Sequence, residues 1–501
     1  MVSEKKKHDK NFYLVLGLTI IVLIFSLGIG IYQNSQPFQD TYWHLSLAEN
    51  LASGEGYVME GTGGEPHSKY PPGLSILMLP FIWILGNIEI SGLIVIAILS
   101  ALAIPLTYSI GKISSEKLGV LAAVFLTFHN LFVFYTGAIL TEIPFMFFSL
   151  AGLLFFMNGF EDKKRKYLAI GLIFIAFSCL IRYDGFFLIF PMIFYCILNW
   201  KKTKKIFYSD SAIIGIILGG LLIASWFLRN ILAFGNPFQT AYASESFKIS
   251  GALGFIEYFP YLGIIFPILV LIGIYFLYKE KNKKMLVFLS WFFTFIIVHM
   301  LWHFRALRFY VPLLPIMAIL VSYSVFNIKQ KIKNTSLKKY FIYIILGIYI
   351  ILQFSIFFNF IPGFVHESTL ENLNRYEPIR LISEYSDNNL PNQANYLVVD
   401  VPVYSRYMDK KNQIFYNQGL QRLLQAYQQR ESPGEVYITA DTLHSWATGP
   451  FLKGETGEIV LPIDTDSGKA SLIIETELVK KINYKDNYAI IMKIVSLDLK
   501  Q

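Results

Sequence analysis

The chain has 501 residues, 54% of them hydrophobic, 16% aromatic and 16% charged, with a mean hydropathy of +0.49. A soluble globular chain carries about 45–50% apolar and about 25% charged residues, so this composition excludes one and points to repeated membrane crossings. The net charge of +8 is no footprint of nucleic acid, because the excess sits in short loops between apolar runs, where membrane topology places it.

The first apolar run, Phe12 to Tyr32, is too long for a signal-peptide core and lacks a small-residue cleavage pattern, so it is expected to remain as a span. Five lysine-rich segments follow the positive-inside rule and are expected in the cytoplasm. They are Lys5–Lys7, the run from Lys163 to Lys166, Lys201 to Lys205, Lys279 to Lys284, and Lys329 to Lys339. Between them the apolar runs predict eleven spans, at 12–32, 89–110, 118–137, 142–160, 167–181, 185–199, 211–231, 258–278, 285–303, 308–327 and 340–360. The N-terminus is then inside and the C-terminus outside.

Leu74 to Gly86 is apolar but short. If it crossed, every later basic loop would change sides, so it is expected as a re-entrant or juxtamembrane helix in the first outer loop. The outer loops then hold Asp40, Lys69, Glu142, Arg182, Asp184, Arg229, Arg305 and Arg308, opposite the lysine clusters. The two cysteines, Cys179 and Cys196, lie inside apolar runs and form no disulfide framework.

Past Ile361 the composition turns polar. Helices are expected at 371–388 and 415–430, and strands at 396–399, 436–438, 457–463, 471–480 and 487–498. Strands interleaved with helices predict a soluble α/β domain of about 140 residues, enough for one core. The expected domains are therefore a transmembrane catalytic domain, 1–360, and an extracytoplasmic α/β domain, 361–501.

Two carboxylates at span edges carry the strongest chemical signal, because charge is costly to keep near lipid without a use. Asp40 precedes an amphipathic stretch with Leu45, Ala48 and Ala52 on one face and Glu49 on another. It reads either as a helix N-cap or as a general base at the membrane surface. Glu142 opens a span two residues before Pro144. It either complements the helix dipole or holds a divalent metal, an acceptor or a sugar.

The cations form the third element. Arg182, Arg229, Arg305 and Arg308 sit at span ends, where arginine either snorkels or binds phosphate, whose geometry a guanidinium matches. Lys69 and Tyr70, before Pro71-Pro72-Gly73, either contact a phosphate or anchor the interface. His299 and His303 are spaced i,i+4 on one helix face, as metal ligands can be, but no third ligand is near in sequence.

Taken in order, these residues resemble the GT-C-fold glycosyltransferases, in particular the protein O-mannosyltransferases and the lipid A aminoarabinose transferase. The matching pieces are Asp40-x-Tyr42 with Ala48, Gly54-x-Gly56-Tyr57, Pro71-Pro72-Gly73, Leu140-Thr141-Glu142-Ile143-Pro144, Gly235-Asn236-Pro237-Phe238 and Arg308-Phe309-Tyr310-x-Pro312. In the aminoarabinose group a lysine directly precedes the proline pair, whereas here Tyr70 does. The mannosyltransferases often carry Asp-Glu in the first loop, whereas here Thr41 follows Asp40. The sugar and the acceptor therefore do not carry over.

The resemblance implies a transferase that uses a polyprenyl- or dolichyl-phosphate sugar at the extracytoplasmic face of the plasma membrane. Asp40 matches the family's first-loop catalytic acid and Glu142 its second acid. The expected reaction is a single inverting displacement. Asp40 acts as base, and Lys69, Tyr70, Arg182, Arg229, His303, Arg305 and Arg308 bind substrate. No cofactor is required, with Mg or Mn on Asp40 and Glu142 as the metal option. The acceptor is a protein, lipid or glycan hydroxyl, and nucleic acid is no partner. The rival class is a polytopic transporter or lipid flippase. Transporters tend to repeat their halves and bind at mid-bilayer; this sequence shows no internal repeat, and its acids lie at span edges.

Overall fold

A computed structural model describes residues 2–34, 38–59, 66–161, 164–239, 259–263, 265–302, 306–359 and 376–399, and, beyond these, 401–404, 407–408, 413–415, 425, 434–442, 452, 457–465, 468–484 and 487–500. The chain forms two compact units. The first is Met1–Pro37 with Ser68–Ile361, and the second is Phe38–His67 with Pro362–Gln501.

The first unit is helical. Its helices are α1 (Val2–Asn34), α3 (Gly73–Leu85), α4 (Ile88–Gly111), α5 (Glu116–Thr127), α6 (Asn130–Tyr135), α7 (Glu142–Asn158), α8 (Lys166–Ile181), α9 (Ile189–Leu198), α10 (Trp200–Phe207), α11 (Asp210–Phe234), α12 (Phe259–Leu262), α13 (Ile265–Glu280), α14 (Lys283–Leu301), α15 (Leu314–Lys331) and α16 (Thr335–Asn359); α2 belongs to the second unit. Each of the eleven expected spans falls on one of these helices or on a consecutive pair. Among the described residues six are long and apolar enough to cross a bilayer, and α7 and α8 are shorter apolar helices. The protein is an integral membrane protein.

The expected span 118–137 is two helices. α5 stops at Thr127, and His129 opens α6, its imidazole accepting the Leu131 N–H at 3.2 Å. The span 185–199 begins as a 3-10 helix, Tyr183–Leu188, before α9. α3 has 13 residues. At 1.5 Å per residue it is about 20 Å long, short of the roughly 30 Å hydrocarbon core, as expected for a helix that does not cross.

α7 and α8 pack closely because both carry glycine at the contact. A Cβ on Gly152 would come 2.8 Å from the Ile175 side chain, and one on Gly171 would strike the Phe156 backbone. Backbones that approach this closely are how membrane helices gain dispersion contact where lipid offers no hydrophobic drive. α3 is set against the end of α8 in the same way: a Cβ on Gly73 would lie 2.6 Å from the Leu180 carbonyl oxygen.

The second unit is a six-stranded sheet in the order β2-β1-β3-β6-β5-β4. The strands are β1 (Asn395–Val398), β2 (Gln413–Phe415), β3 (Val436–Asp441), β4 (Glu458–Thr465), β5 (Gly468–Tyr484) and β6 (Asn487–Lys500). β1 pairs in parallel with β2 and β3, while β3, β6, β5 and β4 pair antiparallel. The half built by crossovers is thus parallel, and the half built by hairpins is antiparallel. β2 was not expected. The expected helix 415–430 lies almost wholly outside the described residues, and its first residue, Phe415, ends β2.

Period-two alternation divides the core between the sheet's faces. Leu397, Ile438, Ile490 and Met492 pack on one side. Tyr396, Tyr437, Ala489 and Ile491 pack on the other, against Ile379 and Ile382 of helix α17, residues 376–389, and against α18 (Val401–Tyr404).

A segment from the first loop completes this second face. Tyr42 of α2 (Gln39–Ser53) is buried in the same cluster. Its ring meets Tyr376 edge-on at 5.7 Å, and its hydroxyl lies 2.9 Å from that of Tyr407. α2 is expected to be amphipathic, and Leu45 and Ala48 are buried and Glu49 exposed, but Thr41, His44, Ser46 and Leu47 are buried as well, so the helix is enclosed on most of its circumference. Its apolar face packs with the C-terminal domain's own residues. Tyr42→Ala is therefore expected to destabilise this unit by about 3–5 kcal/mol. Tyr42→Phe, which loses only the hydroxyl contact, should cost about 1 kcal/mol. Thermal unfolding of the two variants separates packing from hydrogen bonding.

Candidate active site

In the first unit, an ion cluster forms where α7 begins. Thr141 ends the preceding turn and Glu142 is the first helical residue. A carboxylate there faces the unsatisfied N–H groups and the positive end of the helix dipole. Glu142 is 2% exposed. Burial at that depth requires partners, and two guanidiniums supply them.

The first is Arg182, in extended backbone just after α8 ends. Its Nη1 donates to Glu142 Oε1 at 2.8 Å and to Thr141 Oγ1 at 3.2 Å, and its Nε donates to Asp184 Oδ2 at 2.7 Å. Phe309 and Phe145 present ring faces to this guanidinium at 5.6 and 5.9 Å. The second is Arg308, in the 3-10 helix Leu307–Leu313, whose Nε lies 3.4 Å from the same Glu142 Oε1. The other oxygen, Oε2, is buried and receives no hydrogen bond from the described residues.

His299 closes the cluster from the last turn of α14. Its Nδ1 donates to the Phe295 carbonyl oxygen at 2.9 Å, its ring stacks on Phe295 at 4.0 Å, and its Nε2 is 3.9 Å from Asp184 Oδ1. Two acids, two arginines and one imidazole are thus held together by residues from four segments. Glu142 and Asp184 fix the plane of Arg182 between them through Nη1 and Nε.

Of the residues expected from sequence, Glu142, Arg182 and Arg308 come together here. Asp184 and His299 are additions. The spacing Arg182-x-Asp184 across a helix end was the available sign for Asp184. For His299 the i,i+4 spacing pointed to metal, but its Nδ1 is committed to a carbonyl. His303 and Arg305 lie outside the described residues. Lys69 and Tyr70 are also in this unit, with Tyr70 buried and the Lys69 ammonium 5.2 Å from its ring centre. Tyr183, between the two members of the Arg182–Asp184 pair, donates from its hydroxyl to the Ser68 carbonyl oxygen at 2.9 Å, beside Lys69. Arg229, in the last turns of α11, rests on Trp226 and Phe234 and donates to Asn230 Oδ1 at 3.0 Å.

Asp40 belongs to the second unit. Phe38 occupies the N-cap of α2, so Asp40 sits in the first helical turn and is not its cap. It is partly exposed, two residues before the buried Tyr42.

No three His, Cys, Asp or Glu residues converge as a metal site among the described residues. Glu142 Oε1 lies between guanidinium nitrogens of Arg182 and Arg308.

Residues 69–228 match the family model described as dolichyl-phosphate-mannose-protein mannosyltransferase. The fold is similar to that of ArnT from Cupriavidus metallidurans bound to undecaprenyl phosphate, with a TM-score of 0.63 at 10% identity, over 97% of this chain and 98% of that one. It is also similar to the oligosaccharyltransferase of Archaeoglobus fulgidus, with a TM-score of 0.56 at 13% identity, over 90% of this chain and 72% of that one. None of the curated proteins matches the sequence.

Proposed function

We propose that this chain, whose fold is similar to those of ArnT and the Archaeoglobus fulgidus oligosaccharyltransferase and part of which matches the mannosyltransferase family model, is a polyprenyl-phosphate-sugar-dependent transferase, moving a sugar from a lipid-phosphate donor to an acceptor hydroxyl at the extracytoplasmic membrane face. A polyprenyl or dolichyl phosphate is named in both the family description and the ArnT structure. The observation that carries the reading in this chain is the buried Glu142–Arg182–Arg308 cluster. It holds guanidiniums in fixed orientation at a helix N-terminus, which is chemistry suited to a phosphate.

In the proposed reaction Asp40 accepts the proton of the acceptor hydroxyl as that oxygen attacks the anomeric carbon. The bond from the anomeric carbon to the phosphate oxygen breaks, and its electron pair leaves with polyprenyl phosphate. Arg182 and Arg308, with Lys69, Tyr70, Arg229, His303 and Arg305 as further donor contacts, stabilise the charge that develops on that leaving group. Glu142 and Asp184 position Arg182. One-step attack from the face opposite the leaving group inverts the anomeric centre.

Because phosphate is a good leaving group, the step needs no metal, and Mg or Mn on Asp40 and Glu142 is the competing arrangement. Two measurements on the purified enzyme test these points. The product sugar is expected to have the opposite anomeric configuration to the donor by NMR. Transfer is expected to keep its rate in excess EDTA. Retention would contradict the single displacement, and an EDTA-silenced enzyme restored by Mg or Mn would contradict the metal-free step.

A further inference from the structure

The first unit also carries a polar cavity. Glu142 is the first residue of α7 and Asn158 the last, about 24 Å apart along a helix rising 1.5 Å per residue. At the Asn158 end a cavity of about 540 Å³ is lined by Lys112, Lys164, Lys283 and Lys284. Glu161 is the one acid among its lining residues. Its carboxylate accepts from Lys284 Nζ at 2.7 Å and pairs with Lys164 Nζ at 2.9 Å. These two ammoniums hold its pKa down to about 2. It therefore stays ionised at ordinary pH and, together with Glu116, whose Oε1 pairs with Lys112 Nζ at 3.0 Å, offsets two of the four positive charges. The positive end of α14 adds to them from Lys283 and Lys284.

The cavity's wall also includes Asn199, the residue at a sharp bend. The apolar stretch Tyr183–Leu198 turns through 112° into α10 there. α10 carries Lys201, Lys202, Lys204 and Lys205, buries Thr203 and Ile206, and is flanked by the exposed aromatics Trp200 and Tyr208. A basic amphipathic helix turned across a membrane-crossing one lies at headgroup level, with aromatics at the interface. Lys283 Nζ donates to the Leu198 carbonyl oxygen at 2.7 Å, which joins the cavity to this bend.

We propose that this cavity binds a phosphate-bearing anion, the phosphodiester headgroup of an anionic membrane lipid, at the end of the helical unit opposite Glu142. Ammonium groups recognise such a headgroup as point charges, each with three donors, so charge and not headgroup shape sets the preference. The position beside α10 favours lipid over soluble phosphate, and the binding does not depend on the transferase reading.

The test uses the full chain in an uncharged detergent, titrated with dioctanoyl phosphatidylglycerol, dioctanoyl phosphatidylcholine or inorganic phosphate. The phosphatidylglycerol is expected to bind saturably and the phosphatidylcholine not. Lys112→Gln/Lys283→Gln should weaken that binding at least about tenfold, since it removes two of the ammoniums that attract the anionic headgroup. Glu161→Gln should strengthen it several-fold by freeing Lys164 and Lys284. This opposite sign is not the result of a misfolded variant. Inorganic phosphate binding as tightly, with the same response to the variants, would assign the cavity to a soluble anion and overturn the lipid. Equal binding of both lipids, or binding insensitive to the cavity variants but lost in Lys201→Gln/Lys205→Gln, would overturn the cavity itself.

Discussion

Asp40→Asn is expected to lower sugar transfer by about 10²–10⁴-fold, the usual contribution of a general base, while the chain remains folded. Asparagine keeps the shape of the side chain and cannot accept a proton at neutral pH. The structural cost should be small. Asp40 lies in the first turn of α2 without being its cap, and it is partly exposed. Losing a first-turn acid costs about 0.3–1 kcal/mol of dipole interaction. A proton-accepting role therefore predicts a large rate effect with a small shift in melting temperature. A dipole role alone predicts the same small shift with an unchanged rate. Asp40→Glu separates them further, since it keeps the charge and the dipole interaction but moves the carboxylate outward by one methylene. The general-base reading predicts a damaged rate at unchanged stability.

Arg182→Ala is expected to be the most destabilising single change at the site, by about 3–5 kcal/mol, because it leaves Glu142 buried at 2% exposure with one of its two guanidiniums gone. Asp184 loses its 2.7 Å partner in the same step. Arg182→Lys should rescue little. One ammonium on a flexible stem cannot reproduce donors aimed from Nε and Nη1 at two carboxylates. Glu142→Gln/Arg182→Gln removes both charges together and should be more stable than Arg182→Ala. A coupling energy of about 1–3 kcal/mol from the double-mutant cycle would establish the pair as a unit. All three variants should transfer sugar poorly, so the stability order, and not the activity, is what tests the geometry. Equal melting temperatures for Arg182→Ala and wild type would show that the cluster does not hold Glu142.

Much of this organisation is legible in the sequence because the bilayer constrains it. Runs such as Ile88–Gly111 and Asp210–Phe234 have no alternative to crossing as helices, and an acid such as Glu142 at a span edge stands out against an apolar background. Arg182 and Arg308 were legible for the same reason. The partners of those residues were less so. Asp184 lies only two residues from Arg182, but so short a spacing does not by itself mark it as that arginine's partner, and His299 joins the cluster from more than a hundred residues away, a pairing that leaves no local periodicity. The break at His129 is set by its side-chain cap, in a sequence that stays apolar on both sides. The grouping of Phe38–His67 with Pro362–Gln501 was invisible for another reason. The face of α2 bearing Tyr42 and Leu45 looks the same in sequence whether it meets lipid or a sheet, and only the fold supplies Tyr376 and Tyr407 to cover it.

The central claim is tested most directly by release of polyprenyl phosphate from a panel of polyprenyl-phosphate monosaccharides. Wild-type protein would be reconstituted in nanodiscs with cell-derived acceptors and compared with Asp40→Asn. Acceptor-dependent release from at least one donor, lost in Asp40→Asn, is the predicted result, and the donor that responds identifies the sugar. Wild type as inert as the variant across the whole panel, with both proteins folded, would contradict the transferase account.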